Sequence, residues 1–496
     1  MSDAFDLIVI GGGVNGAGVA RDAAGRGAKV LLLEAHDLAS GTSSASTKLV
    51  HGGLRYLEYY EFGLVREALG ERETLWNIAP HIVRPMRFVL PVEPHMRSRA
   101  TLRAGLFLYD HIGGHGTLPG AKGINLRRHP AGKPLGAGPK RGFEYSDGWV
   151  DDARLVVLNA MDARAHGAEI RTHTPVTAAR REGDLWLVET PAGQFAGRAL
   201  VNAGGPGADD VARLAGVRPA FGIRRVRGSH IIVPKLFDHD YAYIFQQPDT
   251  RICFAIPWER DFTLIGTTDR DHSGPLDHVQ AAPDEIRYLC DAVNRYFQTP
   301  ITPVDVVRSY AGVRALVDEG AGKPEAATRG YRLPLSGPEE GAPLLGIYGG
   351  KITSYRHVAE EVVDALAQRL PALSGPHWTA EAPLPGGDFP RRAQATLIAV
   401  LREEYPFLSE WDATRIGRAY GTNAALWLGE AKGWDDLGRS FGARLSEAEV
   451  DYLRREEWAR SAEDILWRRS KLGLRLSGDQ VAALEAFMSE AATRAA

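Results

Sequence analysis

The chain opens on a short apolar run that breaks into glycines, Phe5-Asp6-Leu7-Ile8-Val9-Ile10 and then Gly11-x-Gly13-x-x-Gly16, and no other feature narrows its folds so sharply. The run suits a strand buried on both faces. Residues 14–26 then read as a helix closed by Gly27, and Lys29-Val30-Leu31-Leu32-Leu33-Glu34 as a second buried strand. Between strand and helix, glycines permit a tight turn and let a pyrophosphate approach the helix N-terminus. Glu34 ends the second strand, 18 residues after Gly16, where a carboxylate accepts hydrogen bonds from adenosine ribose hydroxyls. Alone the glycine pattern is weak; in this setting, with the acid in place, dinucleotide binding outweighs a merely structural turn. The acid disfavours a ribose 2'-phosphate, which leaves FAD or NAD.

Two later pieces fit the same layer: Arg198–Gly205, a strand ending in glycines, and Gly346–Gly350 followed by a helix with Val358, Val362, Ala365 and Leu366 on one face, stopped at Pro371. The nucleotide domain is therefore expected to be discontinuous. Between its pieces, runs such as His230–Val233, Ile252–Ile256 and Phe262–Ile265, separated by turn residues, predict an inserted antiparallel sheet. After the Pro/Gly cluster at 383–390 the period becomes helical. Ser446 with Glu449 and Ser477 with Gln480 read as capping boxes, flanked by the staples Leu445/Val450 and Leu476/Val481.

The 59 Lys plus Arg against 62 Asp plus Glu give no global reason to bind nucleic acid. Cys253 and Cys290, the only cysteines, make neither a disulfide framework nor a zinc motif, so a reducing cytoplasmic setting and no metal are expected. The N-terminus has no cationic signal region, and no apolar run reaches the roughly 20 residues that span a bilayer.

The next block, Thr42–Glu58, reads TSSASTKLVHGGLRYLE, and a Ser/Thr run just after a ribose-binding acid can donate to cofactor phosphates. Together with GGGVNGAGVARDAAGRG at the start, Gly142–Asp147, Trp149–Arg154, Gly228-Ser229-His230, Gly266–Asp269, Gly312-Val313-Arg314 and Gly349–Thr353, this ordered set resembles the FAD-dependent, quinone-linked glycerol-3-phosphate dehydrogenases over nearly the whole chain. Two positions depart from the family pattern: Gly207 stands for the usual Trp, and Ala315 for the usual Pro.

The resemblance implies an α/β FAD-binding Rossmann-like domain, an inserted antiparallel β-sheet substrate domain and a C-terminal α-helical domain. The expected limits are 1–75, 145–220 and 330–372 for the first, 76–144 and 221–329 for the second, and 385–496 for the third. It implies oxidation of sn-glycerol 3-phosphate to dihydroxyacetone phosphate, by hydride transfer from C2 to FAD and onward to a membrane quinone. The cofactor is expected against Gly11, Gly13, Asn15, Gly16, Glu34, Thr42, Ser43, Ser46, Lys48, Leu49, Gly204, Gly350, Lys351, Ile352 and Thr353. Guanidinium forks suit a phosphate dianion, which points to Arg55, Arg314 and Arg329, with Tyr56 beside them. The 2-hydroxyl proton needs a base, and His51 comes before His230, which otherwise orients substrate; Arg314 completes the catalytic set. For each of these the plain alternative is a structural histidine or an interdomain salt bridge.

Residues 97–141 hold nine basic residues against one acid, Asp110, around Leu102, Leu106, Phe107, Leu108 and Tyr109. That combination predicts an interfacial segment on anionic lipid, at the inner face of the cell membrane. A homodimer is one assembly open to such a protein. A glycerol-3-phosphate oxidase that uses oxygen is the second enzyme reading; the helical C-terminus and the basic-apolar segment favour the dehydrogenase. A silent or RNA-modifying FAD-binding protein is the third, opposed by the near-neutral charge and the His/Arg set.

Overall fold

The computed structural model describes residues 4–114, 116–136, 138–318, 330–337 and 341–495. Phe5–Ile10 and Val30–Leu33 are strands with the helix Val14–Gly25 between them. That helix is built of small residues because it is packed on two sides, by the helices Asp152–Ala165 and Tyr355–Ala367. At Gly18 a β-carbon would stand 2.8 Å from the Tyr355 ring, so glycine permits the close crossing.

The first sheet runs in the order Leu335–Ser336, Leu344–Gly346, Gly193–Asn202, Phe5–Ile10, Val30–Leu33, Glu169–Arg171. All its neighbours are parallel except the edge strand Leu335–Ser336. The hairpin Ala178–Glu182 with Leu185–Thr190 extends the strand Gly193–Asn202 antiparallel beyond the sheet. Leu7, Val9, Val30, Leu32, Val201 and Leu345 are wholly buried between this sheet and its helices. The ends of the central strands, at Gly11, Glu34 and Ala203, meet at one edge.

The second sheet has ten strands. Its antiparallel body joins Ile223–Pro234, Phe262–Gly266, Ile252–Trp258 and Ala242–Gln246, with Arg308–Val317 along the far side of Ile223–Pro234. The expected antiparallel sheet carries one parallel seam: Ala242–Gln246 pairs parallel with Val83–Pro91. This seam joins the two chain segments of the insertion, and with no hairpin between its strands nothing local requires them to run antiparallel. Arg141–Val150 and Leu49–Val50 continue the same sheet, so a boundary drawn at 144/145 falls inside one of its strands.

The C-terminal helices Gln394–Glu404, Glu410–Tyr420, Glu447–Glu457 and Gly478–Ala495 enclose their own core around Leu445, Val450, Leu453, Ile465 and Leu484. Ser477 and Gln480 cap each other, at 2.9 and 3.4 Å. The other expected box is half formed. Ser446 Oγ accepts the Glu449 amide at 3.3 Å, but the Glu449 carboxylate turns inward to Arg415 at 2.6 and 2.9 Å and to the Tyr420 hydroxyl at 2.6 Å. A buried guanidinium holds a carboxylate better than one backbone amide does.

Buried ion pairs from Glu457 and from the segment Asp464–Lys471 fasten this domain to the nucleotide domain. Arg469 grips Asp37 with two nitrogens at 2.6 and 2.8 Å, Lys471 meets Asp151 at 2.8 Å, and Arg154 pairs with Glu457.

Candidate active site

The glycine turn closes on itself so tightly that only hydrogen fits. Gly11 has φ +113°, and a β-carbon there would lie 2.6 Å from the Ala203 carbonyl oxygen; one on Gly16 would lie 1.8 Å from that of Gly11. Gly13 precedes the first helical residue without a side-chain cap, and the Val14 amide donates to Ser43 Oγ at 3.0 Å. Glu34 accepts the Gly12 amide at 2.5 Å and the His36 amide at 2.8 Å; burial pushes its carboxyl up despite them. Asn15 Oδ1 is buried with no hydrogen-bond partner, beside Gly350, which has φ +91°. Gly204 stands next to Ala203, its amide donating to Asn202 Oδ1 at 3.1 Å. This edge fits the ADP half of a dinucleotide: a helix N-terminus with no side chain at its cap, a glycine cradle, an acid and an orphaned buried acceptor.

The Ser/Thr segment divides differently from expectation. Ser43 alone stands at the helix start. Thr42 Oγ1 donates to the Val313 carbonyl at 2.5 Å, and Ser46 Oγ donates to Asp152 at 2.7 Å. Lys48 Nζ is buried against Asp152 at 2.8 Å and the Ser44 carbonyl at 2.5 Å. Burial pulls its ammonium pKa down against the pull of Asp152. Leu49 is core, paired with Trp149 across the strands. Thr42, Ser46 and Lys48 thus spend their polar groups fixing the loop, with Asp152 as its anchor. Sequence reasoning missed Asp152; the Asp151-Asp152 pair before a helix was the available signal, since one acid caps (Asp151, on the Arg154 amide at 3.2 Å) and the other is spare.

Beneath this loop four residues form a row across four strands: Phe254 opposite Gly266, Gly266 opposite His230, His230 opposite Tyr310. The row faces the segment 46–51. Tyr310 donates to the Ser46 carbonyl at 2.9 Å, His230 Nε2 lies 2.9 Å from Thr47 Oγ1, and the His51 ring stands edge-on to Phe254 with centroids 6.5 Å apart. Tyr310 stacks on His230 at 4.8 Å and carries Lys48 over its ring. Phe254, Thr47 and Tyr310 carried no signal in the sequence, because only pairing register brings them together.

Both histidines are neutral at pH 7. Burial, Lys351 and Arg72 hold His51 at about 3; burial, Arg314 and Lys48 hold His230 well below its ordinary value. His230 Nδ1 is buried without a partner. The segment Gly349–Ser354 reaches the same place, since the His51 amide donates to Thr353 Oγ1 at 3.2 Å. Ile352 packs on the nucleotide-domain core behind it, and Lys351 Nζ sits 3.7 Å over the Tyr56 ring. Arg314 is shared: it pairs with Asp269 and donates to Thr267 Oγ1 at 3.0 Å and the Thr268 carbonyl at 3.3 Å. Arg55 is half-buried, with Tyr59 Oη at 3.3 Å. Arg329 lies outside the described residues.

A parallel nucleotide sheet, a glycine cradle with its acid, and two neutral imidazoles set among cations are the parts that a dinucleotide-dependent oxidoreductase needs. A family model described as FAD dependent oxidoreductase matches residues 6–364, and one described as the C-terminal domain of alpha-glycerophosphate oxidase matches 377–495. The glycerol-3-phosphate dehydrogenase of Pseudomonas aeruginosa is 49% identical, covering 98% of this chain and 96% of that protein. The D-erythritol 1-phosphate dehydrogenase of Brucella abortus is 50% identical, covering 98% of both. Among solved structures, the glycerol-3-phosphate dehydrogenase from Bacillus halodurans complexed with FAD aligns with TM-score 0.75 at 25% identity, over 99% of this chain and 90% of that one. The chain belongs to the family of FAD-dependent glycerol-3-phosphate dehydrogenases, and FAD is its cofactor. The C-terminal domain no longer separates dehydrogenase from oxidase, because the model that describes it carries the oxidase's name.

Proposed function

We propose that the protein oxidises sn-glycerol 3-phosphate at C2 to dihydroxyacetone phosphate. The observation that carries this is the meeting of the row with the 46–51 loop, which sets two neutral imidazoles, His230 and His51, among Lys48, Arg72, Arg314 and Lys351. FAD, when bound along the glycine turn and the Gly349–Ser354 segment, supplies the two-electron acceptor. His51 takes the C2 hydroxyl proton on a ring nitrogen; its low pKa keeps it unprotonated until an anionic substrate arrives among the cations. Thr47 fixes His230, which orients the substrate. Arg55 and Arg314 hold the phosphate, Arg314 already aimed by Asp269. The Lys351 ammonium and the helix start behind it offset negative charge gathering at the acceptor.

The electrons pass to a quinone in the membrane. The exposed surface supports this reading. Tyr59, Tyr60 and Phe62 are exposed where the 3-10 turn Leu54–Tyr59 passes into the helix Phe62–Ile78, and Phe107 and Leu108 on the helix Arg99–Ile112 beside it; Arg97 links the two by pairing with Glu58 at 3.2 Å. All nine basic residues of 97–141 are exposed. Of the five apolar residues expected at the lipid, Leu106 and Tyr109 are buried instead and Leu102 is half-buried, because they face the protein at helical spacing. Among the described residues no helix is long and apolar enough to cross a membrane.

The test is anaerobic. Glycerol 3-phosphate should bleach the flavin and free glycerol should not, and His51→Ala should slow bleaching on the order of 10² to 10⁴-fold. D-Erythritol 1-phosphate is the necessary competitor, given the Brucella relative; faster bleaching by it would replace the substrate named here. Reoxidation by oxygen outrunning that by a quinone analogue would favour the oxidase.

A further inference from the structure

Under the His51 loop lies a buried acid that the reaction above leaves unused. Asp147, 2% exposed on the strand Arg141–Val150, accepts from Tyr109 Oη at 2.8 Å and from Arg72 Nη1 at 3.2 Å. The Gly52 amide, next in the chain to His51, favours the charged form of the same carboxylate. Arg72 is in turn one of the two cations that keep His51 neutral.

The packing around this acid has no slack. A β-carbon on Gly52 would stand 2.8 Å from Tyr109 Oη and 2.7 Å from Leu69 Cγ, and one on Gly113, at the end of the helix Arg99–Ile112, 2.7 Å from Leu69 Cβ. That helix buries only Leu106 and Tyr109. Its hold on the protein and the seat of the His51 loop therefore share the Tyr109 hydroxyl.

We propose that Asp147 and Tyr109 are positioning residues for His51, tying the pose of its imidazole to the seating of the exposed helix Arg99–Ile112. The proposal rests on His51 as proton acceptor. A carboxylate held from two sides fixes the Gly52 peptide, and a displacement of about 1 Å at a reacting group can cost on the order of 10²-fold.

Tyr109→Phe keeps the ring and deletes the hydroxyl, so it tests the contact with little risk to folding. In anaerobic stopped-flow with glycerol 3-phosphate, its limiting bleaching rate should fall on the order of tenfold, with substrate Kd and flavin content unchanged. A purely structural role would lower the melting temperature and flavin content and leave the limiting rate of the flavin-loaded protein as in wild type. Leu106→Ala, which loosens the helix without touching Asp147, should slow bleaching several-fold alone and add little to Tyr109→Phe. His51→Ala is run beside them. Slow bleaching in His51→Ala with wild-type rates in Tyr109→Phe and Leu106→Ala overturns the proposal and leaves the His51 reading intact. Normal bleaching in His51→Ala overturns that reading and the proposal with it.

Discussion

Gly266 is the narrowest point of the row under the 46–51 loop, and adding one methyl group there tests whether the row is what places His230. A β-carbon would stand 2.0 Å from Cδ2, 2.6 Å from Nε2 and 2.8 Å from Cγ of the imidazole. Carbon contacts settle at roughly 3.5 Å, so the ring must retreat by about 1.5 Å. It can do so only by leaving Thr47 Oγ1, now at 2.9 Å, and by disturbing the stack on Tyr310, now at 4.8 Å. Overpacking costs about 1 to 3 kcal/mol, a hydrogen bond about 1 and an aromatic contact about 0.5 to 1.5. These overlap, so Gly266→Ala should lose about 3 kcal/mol of stability. In a His230→Ala background the methyl group has room, and the same change should cost under about 1 kcal/mol, a coupling near 2. Urea denaturation of the four proteins measures the cycle, and anaerobic bleaching with glycerol 3-phosphate shows whether Gly266→Ala and His230→Ala slow turnover alike. An equal stability cost in both backgrounds would refute the reasoning, since the clash would then lie elsewhere.

Gly16→Val should give protein without flavin, because its side chain would start 1.8 Å from the Gly11 carbonyl oxygen; absorbance of the purified variant decides it. Lys48→Met strands Asp152 as a buried charge, since both side chains are at most 4% exposed, and should cost about 3 to 5 kcal/mol. Adding Asp152→Asn should recover part of that in a denaturation series. His81 is 1% exposed with both ring nitrogens unpartnered, and burial with Arg154 holds its pKa at about 3 instead of 6.5. Between those values only the unfolded chain carries the proton, so stability falls as pH drops through 6.5 and levels off below 3. His81→Leu should shrink the loss between pH 7.5 and pH 5 by about 2 kcal/mol. Identical losses in variant and wild type would put the acid sensitivity elsewhere.

Much of the nucleotide domain could be read from the chain because its signals are local. A buried run, three spaced glycines and an acid at the next strand end all fall within the first 34 residues. Sheet pairing had no such signal: nothing near Ala242 says that it will lie parallel to Phe88. The polar loop misled for a related reason. Hydroxyls at Thr42 and Ser46 look equally fit for a phosphate or for a protein partner, and their partners Val313 and Asp152 lie 271 and 106 residues away. The amphipathic helix was legible in part. Leu102, Leu106 and Tyr109 recur at intervals of four and three, the spacing of an inward face, which leaves Phe107 and Leu108 to point out. Glu449 shows the converse, a local capping signal overridden by a buried arginine from another helix.

The ion pairs between the C-terminal helices and the nucleotide domain also bear on how the chain is made. The strand–glycine–helix unit is complete after 34 residues of synthesis, yet Asp37 waits for Arg469, 432 residues later in the chain. The neighbour of the central strand Gly193–Asn202, Leu344–Gly346, also arrives late. A ribosome-bound chain therefore carries acids destined for burial, Asp37 among them, with no counter-charge until the final helices emerge. Docking of those helices is then the last step that commits the nascent protein, and a message that stops short of them yields a product poised for proteolysis.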